Sequence, residues 1–177
     1  MNFKSIDDLT RAELVGLLED AALNWLALDG LWFQAVEKKF GTEEASGCGQ
    51  SAIGSYSEIE AKRIVRRFNI TQEGIPALMQ ALRFRLYHLI NRQDFIDVSE
   101  NRCVFRMLEC RVQAARKRKG LPDYPCKSVG LSEYSHFARA IDPGIQTRCV
   151  SCPPDNHPEG FWCAWEFSIG SKAPAKP

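Results

Sequence analysis

The stretch Asp94-Phe95-Ile96-Asp97-Val98-Ser99-Glu100-Asn101-Arg102-Cys103-Val104-Phe105-Arg106-Met107-Leu108 decides the fold, because here the chain stops reading as helix. Residues 94–98 and 102–108 are short and partly alternating, and Ser99-Glu100-Asn101 between them has the composition of a turn. Alternation at period two sends successive side chains to opposite faces of a sheet. The stretch predicts a β-hairpin.

Downstream, Cys110 to Lys119 predicts a helix stopped by Gly120 and Pro122. Ser128 to Ala140 predicts another, closed by Asp142-Pro143-Gly144. Ile145 to Val150 and Phe161 to Ile169 read as a closing pair of strands. Upstream of the hairpin everything reads as helix. Asp8 or Thr10 can cap a first helix, because a side-chain oxygen there satisfies free amide donors. Leu14, Leu18, Ala22, Trp25, Asp29, Trp32 and Val36 then recur at three- or four-residue steps, up to Gly41. Ser46-Gly47-Cys48-Gly49 has loop composition. Tyr56 to Phe68 predicts a second helix with Ile64 and Phe68 inward. A third runs from Pro76 to about Arg92, striped by Leu78, Leu82, Leu86 and Leu89.

The expected fold is α+β: an N-terminal helical layer over residues 1–92, then a ββααββ unit with an antiparallel sheet over 93–169. The tail 170–177 is small, polar and proline-containing and is expected to fray. The whole is expected to form one compact domain.

The chain has 177 residues, 45% hydrophobic and 25% charged, which is ordinary globular composition. Its 23 basic residues face 22 acidic ones, a balance that argues against nucleic-acid binding. No apolar run approaches the roughly 18 residues of a membrane span, and Met1 to Asp8 lacks a cationic-then-apolar leader. The expected location is the cytoplasm, where clustered thiols mean metal or redox work more often than disulfides.

Five of the seven cysteines lie in the last seventy residues, at Cys110, Cys126, Cys149, Cys152 and Cys163. Cys149-Val150-Ser151-Cys152 has the spacing that lets two thiolates grip one metal. Thiolates are soft ligands suited to zinc or an iron–sulfur cluster. The expected metal ligands are Cys110, Cys126, Cys149 and Cys152, with Cys163 and His157 as additional candidates, zinc first and iron–sulfur as the alternative. Without metal, Cys110 near a helix N-terminus can be a reactive thiolate. Singly buried cysteines also pack as small hydrophobes; Cys48 and Cys103 are read that way.

Asp29 interrupts an apolar stripe between Trp25 and Trp32, where a carboxylate is costly unless paired. Asp29 and Glu60 are the candidate catalytic acids. The basic run from Arg111 to Lys119 is either a solvated face or an anion contact.

Leu28-Asp29-Gly30-Leu31-Trp32-Phe33, Lys39-Phe40-Gly41, Ile59-Glu60-Ala61, Cys110-Arg111-Val112-Gln113, Pro125-Cys126 and Cys163-Ala164-Trp165-Glu166-Phe167 together resemble an uncharacterised bacterial and archaeal cytosolic-protein family. That family is distantly similar to aminothiazoline-carboxylate hydrolases, which open a sulfur-containing ring. The resemblance implies cysteines after a strand, after the following helix and before a late aromatic strand, matching Cys110, Cys126 and Cys163. Three functions follow as expectations: a small-molecule binder or sensor with a metal-stabilised fold, a hydrolase of a cyclic amide-like or thiazoline substrate, or a partner-binding module without catalysis.

Overall fold

The computed structural model describes residues 4–170. After a 3-10 turn at Ile6–Asp8 come α1 (Arg11–Phe40), α2 (Thr42–Phe68), α3 (Gly74–Leu82) and α4 (Leu86–Ile90). The β1 (Arg92–Ile96) and β2 (Arg102–Glu109) hairpin follows, then α5 (Arg111–Arg118), α6 (Lys127–Ile141), β3 (Ile145–Ser151) and β4 (Cys163–Ile169). The architecture is the expected α+β one, with ββααββ after the helices.

Thr10 caps α1 reciprocally: its hydroxyl accepts the Glu13 amide at 3.3 Å, and the Glu13 carboxylate accepts the Thr10 amide at 2.8 Å. Gly41, at φ 95°, ends α1 in a conformation that disfavours side chains, and α2 starts at once.

The expected loop at Ser46–Gly49 is instead the interior of α2. Gly47 faces open space there, and the close approach of α2 to α6 lies further along, at Gly54. A β-carbon at Gly54 would lie 2.9 Å from Ser132 Oγ on α6, and one at Gly49 would touch Tyr124 and Val129. The expected third helix breaks in two around Arg83, Phe84 and Arg85. Arg85 accounts for the break: it is 2% exposed and held between carboxylates of α2 and α6. Phe68 is not inward but 45% exposed, stacked on Phe84 with ring centroids 3.6 Å apart.

The four strands are antiparallel in the order β1-β2-β4-β3. Register places Cys103 opposite Phe167, Phe105 opposite Trp165 and Met107 opposite Cys163, all buried. That face meets Tyr134 and Phe137 of α6 and Leu78 and Leu82 of α3 in one core. The other face carries ion pairs: Asp94 with Arg106, and Glu166 between Arg102 and Arg148. Among the described residues no helix is long and apolar enough to cross a membrane.

The α1 stripe departs from a core pattern. Of its members only Ala22 is buried, and Leu14, Leu18 and Trp32 are 37%, 54% and 72% exposed.

Candidate functional site

A cavity of about 490 Å³ opens between α1, α2, α5, α6 and the buried face of the sheet. Leu23, Leu26, Phe33, Ile53, Val112 and Val129 form its apolar walls. Its floor is Trp165, 1% exposed, with the ring against Gly130 of α6. A β-carbon at Gly130 would lie 2.6 Å from Trp165 Cζ2, well inside the roughly 3.5–4.0 Å of ordinary carbon contact. Glycine at 130 therefore sets how deep the floor lies.

Four of the expected cysteines line this one cavity: Cys110, Cys126, Cys152 and Cys163. Distant stretches of the C-terminal half bring their sulfurs to a common region. Cys126 Sγ and Cys152 Sγ are 3.5 Å apart. Hydrogen bonding from Cys152 holds the Cys126 thiol below its ordinary pKa, and the same contact, with one to Cys163, pushes Cys152 up. Within the pair, Cys126 gives up its proton before Cys152. Trp165 Nε1 donates to Cys163 Sγ at 3.4 Å. Cys149 is half-buried on β3, opposite Trp165, and is not among the lining residues. His157 is also apart, ring against Trp162 at 5.0 Å between centroids.

Cys110 does cap α5, yet it is not the activated thiolate its position predicts. Burial pushes it up to about 12, outweighing the amide hydrogen bond from Gln113. Among the described residues no three His, Cys, Asp or Glu side chains are grouped so as to hold a metal ion as they stand.

Sequence reasoning passed over Gln113, which is 1% exposed. Its side chain donates to the Tyr124 carbonyl and accepts the Tyr124 amide, both at 2.9 Å, and its Nε2 reaches Cys126 Sγ at 3.6 Å. This clamp fixes the connection that delivers Cys126. A lone glutamine in a basic helix gives no signal in sequence; the two backbone groups it satisfies come from eleven residues downstream.

Asp29 lines the cavity. Solvent reaches it, but its apolar surroundings raise its carboxyl pKa through desolvation. Glu133, also lining, is raised by burial against the opposing pull of Arg85. Both shifts run toward the protonated form of the carboxyl. Glu60 is not a lining residue: its carboxylate accepts from Arg85 Nε at 2.8 Å in the buried triad. Arg85 Nη1 lies 2.7 Å from Glu133 Oε1, outside hydrogen-bonding geometry, and Nη2 has no hydrogen-bond partner among the described residues. The basic run is divided. Arg116 is buried against Glu37 at 3.1 Å, whereas Arg118 and Lys119 stand at the rim of the cavity.

A wider groove of about 590 Å³ runs along α2 and α6, lined by Ser51, Ser55, Glu58, Lys62 and His136. Its walls are largely small or solvated, and Lys62 is already paired with Glu58. The cysteine-lined cavity, apolar inside with a few converging polar groups, has the character of a ligand site.

Residues 7–169 match a family of unknown function, DUF6125. The chain belongs to that family. Among solved structures it is similar to the phenol-responsive sensory domain of the transcription activator PoxR, determined with phenol. The TM-score is 0.56 at 14% identity, over 79% of this chain and 72% of that one. At that identity the likeness is one of fold. No curated protein matches the sequence. The family of unknown function agrees with the resemblance read from sequence, but the structural neighbour is a sensory domain rather than an aminothiazoline-carboxylate hydrolase.

Proposed function

We propose that the chain is a small-molecule-binding sensory domain whose cavity takes a compact, mainly apolar molecule carrying one polar group. The observation that carries this reading is the cavity itself. Its volume of about 490 Å³ lies within the roughly 300–1,000 Å³ of small-molecule sites. Its apolar walls would hold a ring or short chain, and Asp29, Glu133 and Tyr87 line the same space as hydrogen-bonding groups. The fold shared with a phenol-responsive domain supports the same ligand class.

Calorimetric titration with phenol and a panel of monocyclic aromatics tests the reading. Saturable binding at one site is expected, lost in Val129→Trp, which fills the cavity. Absence of saturable binding across the panel at millimolar concentration, or binding untouched by Val129→Trp, would overturn it.

We further propose that the sulfur cluster takes zinc as a structural ion, with an iron–sulfur cluster as the alternative. The 3.5 Å between Cys126 and Cys152 is close to the roughly 3.8 Å edge of a tetrahedral thiolate site with 2.3 Å zinc–sulfur bonds. Cys163 would be the third ligand, and Cys149, turned inward, the fourth. Cys110, held protonated by burial, is the weaker donor. Zinc would supply fold stability there. Metal analysis of anaerobically purified protein is expected to give about one zinc per chain, lost in the Cys126→Ser/Cys152→Ser variant; metal-free parent protein refutes the proposal.

A catalytic reading draws on Cys126, whose thiol pKa is lowered by Cys152, lining the same cavity as Asp29. Ring opening of a thiazoline carboxylate, abolished by Cys126→Ser, would establish it over sensing.

A further inference from the structure

We infer that α1 is a dimerisation element, through which two copies of this chain pack antiparallel.

The helix runs 30 residues, about 45 Å, yet contributes one buried residue to its own chain. Over residues 11–20 only Gly16 is even partly shielded. Most helical stability in proteins comes from packing, which this stretch lacks within its own chain, so it calls for a partner. Among the described residues none covers it.

The outward face repeats every seven residues. Leu14, Ala21, Leu28 and Ala35 form one ridge; Leu17, Asn24 and Leu31 form the next. Such a repeat is the seam of a two-helix coiled coil. Leu17, Leu28, Leu31 and Trp32 on or beside it are 49%, 69%, 62% and 72% exposed.

The occupant follows from the order of large and small residues. In an antiparallel pair centred between Asn24 and Trp25, Leu14 faces the partner's Ala35, and Ala21 faces the partner's Leu28. Large meets small along this first ridge, as close packing requires, while on the second ridge Leu17 faces the partner's Trp32. The seam is therefore complementary to itself. Charge agrees. At the entry to α1, Asp7, Asp8 and Glu13 outnumber Lys4 and Arg11, and its last turn carries Lys38 and Lys39. Antiparallel packing brings these unlike ends together, whereas parallel packing sets lysines on lysines. A stripe about 45 Å by 10 Å covers roughly 450 Å² per chain, about 900 Å² in total, the size of a reversible interface.

Sedimentation equilibrium of the full chain tests this. The expected mass is twice 20.0 kDa. Leu17→Glu/Leu28→Glu, at two exposed positions, is expected to raise the dimer dissociation constant about a hundredfold or more while leaving the circular dichroism spectrum unchanged. Orientation is read by oxidative cross-linking in a Cys48→Ser background. Asn24→Cys, near the two-fold axis, is expected to give a covalent dimer. Leu14→Cys is not, because its two copies lie about 30 Å apart. A chain that sediments as a 20.0 kDa monomer overturns the inference, as does a dimer unaffected by the double substitution or cross-linked through Leu14→Cys.

Discussion

Replacing Gly130 by alanine adds one methyl group, and the structure fixes where it goes. The new carbon would sit 2.6 Å from Trp165 Cζ2 and 3.1 Å from Cη2. The indole is buried and cannot swing into solvent, so ring or helix must move by about 1 Å to restore ordinary contact. Overpacking of a dense core costs about 1–3 kcal/mol, and a displacement this large belongs near the upper end. Alanine returns about 1 kcal/mol through its better helix propensity. The balance is a loss of about 2 kcal/mol, or about 4–8 °C in melting temperature for a chain of this size. The same substitution at Gly47, exposed on α2 with nothing within 4 Å of the added carbon, meets no such contact. There only the propensity gain of about 0.5–1 kcal/mol remains. Urea unfolding of both variants beside the parent is the assay. The two changes should have opposite signs. If Gly130→Ala is as stable as Gly47→Ala, Trp165 does not rest on α6, and the floor of the proposed ligand site is elsewhere.

Arg85→Met should destabilise the fold by about 3–5 kcal/mol at neutral pH, because Glu60 and Glu133 are left buried without their cation. Glu133 already has a raised pKa, so its neutral form is favoured in the fold and stability is lost as pH rises through that value. Chemical unfolding of the variant should accordingly show partial recovery at about pH 5; a flat profile would contradict the triad. The opposite sign applies to Glu166, depressed by Arg148 and then Arg102, and to Asp94 and Glu37, depressed chiefly by Arg106 and Arg116. Their contribution is present above the ordinary values of 3.8 and 4.5 and is lost as pH falls through the lower folded values, so urea midpoints should drop below about pH 4, less so in Glu166→Gln. Gln113→Leu keeps the volume but removes the clamp on Tyr124, and should cost about 1–3 kcal/mol while raising the reactivity of Cys126 toward alkylating agents. Unchanged stability and alkylation rate would show that the connection holds without it.

Local chemistry alone determined much of this protein. The Thr10 and Glu13 box, the turn at Ser99-Glu100-Asn101 and the strand alternation fix elements through neighbours in the chain, so the α+β order with ββααββ was readable from the sequence. Clustering of cysteines in one half was readable too. Tertiary contact decided the rest. Gly47 to Gly49 has loop composition, yet it lies inside α2, whose length is set by packing on α6 through residues such as Gly54 further along the chain. Arg85 breaks a helix because two carboxylates from other helices meet it in the interior. The periodicity of α1 marks an apolar face without saying whether the chain itself covers it. Likewise the spacing of Cys126 and Cys152 is silent about their 3.5 Å contact, which exists because the start of α6 and the end of β3 meet in the folded chain. Period and capping act over a few bonds and are written in order along the chain, whereas a cavity is the space left between surfaces far apart in sequence and takes shape only once they have packed.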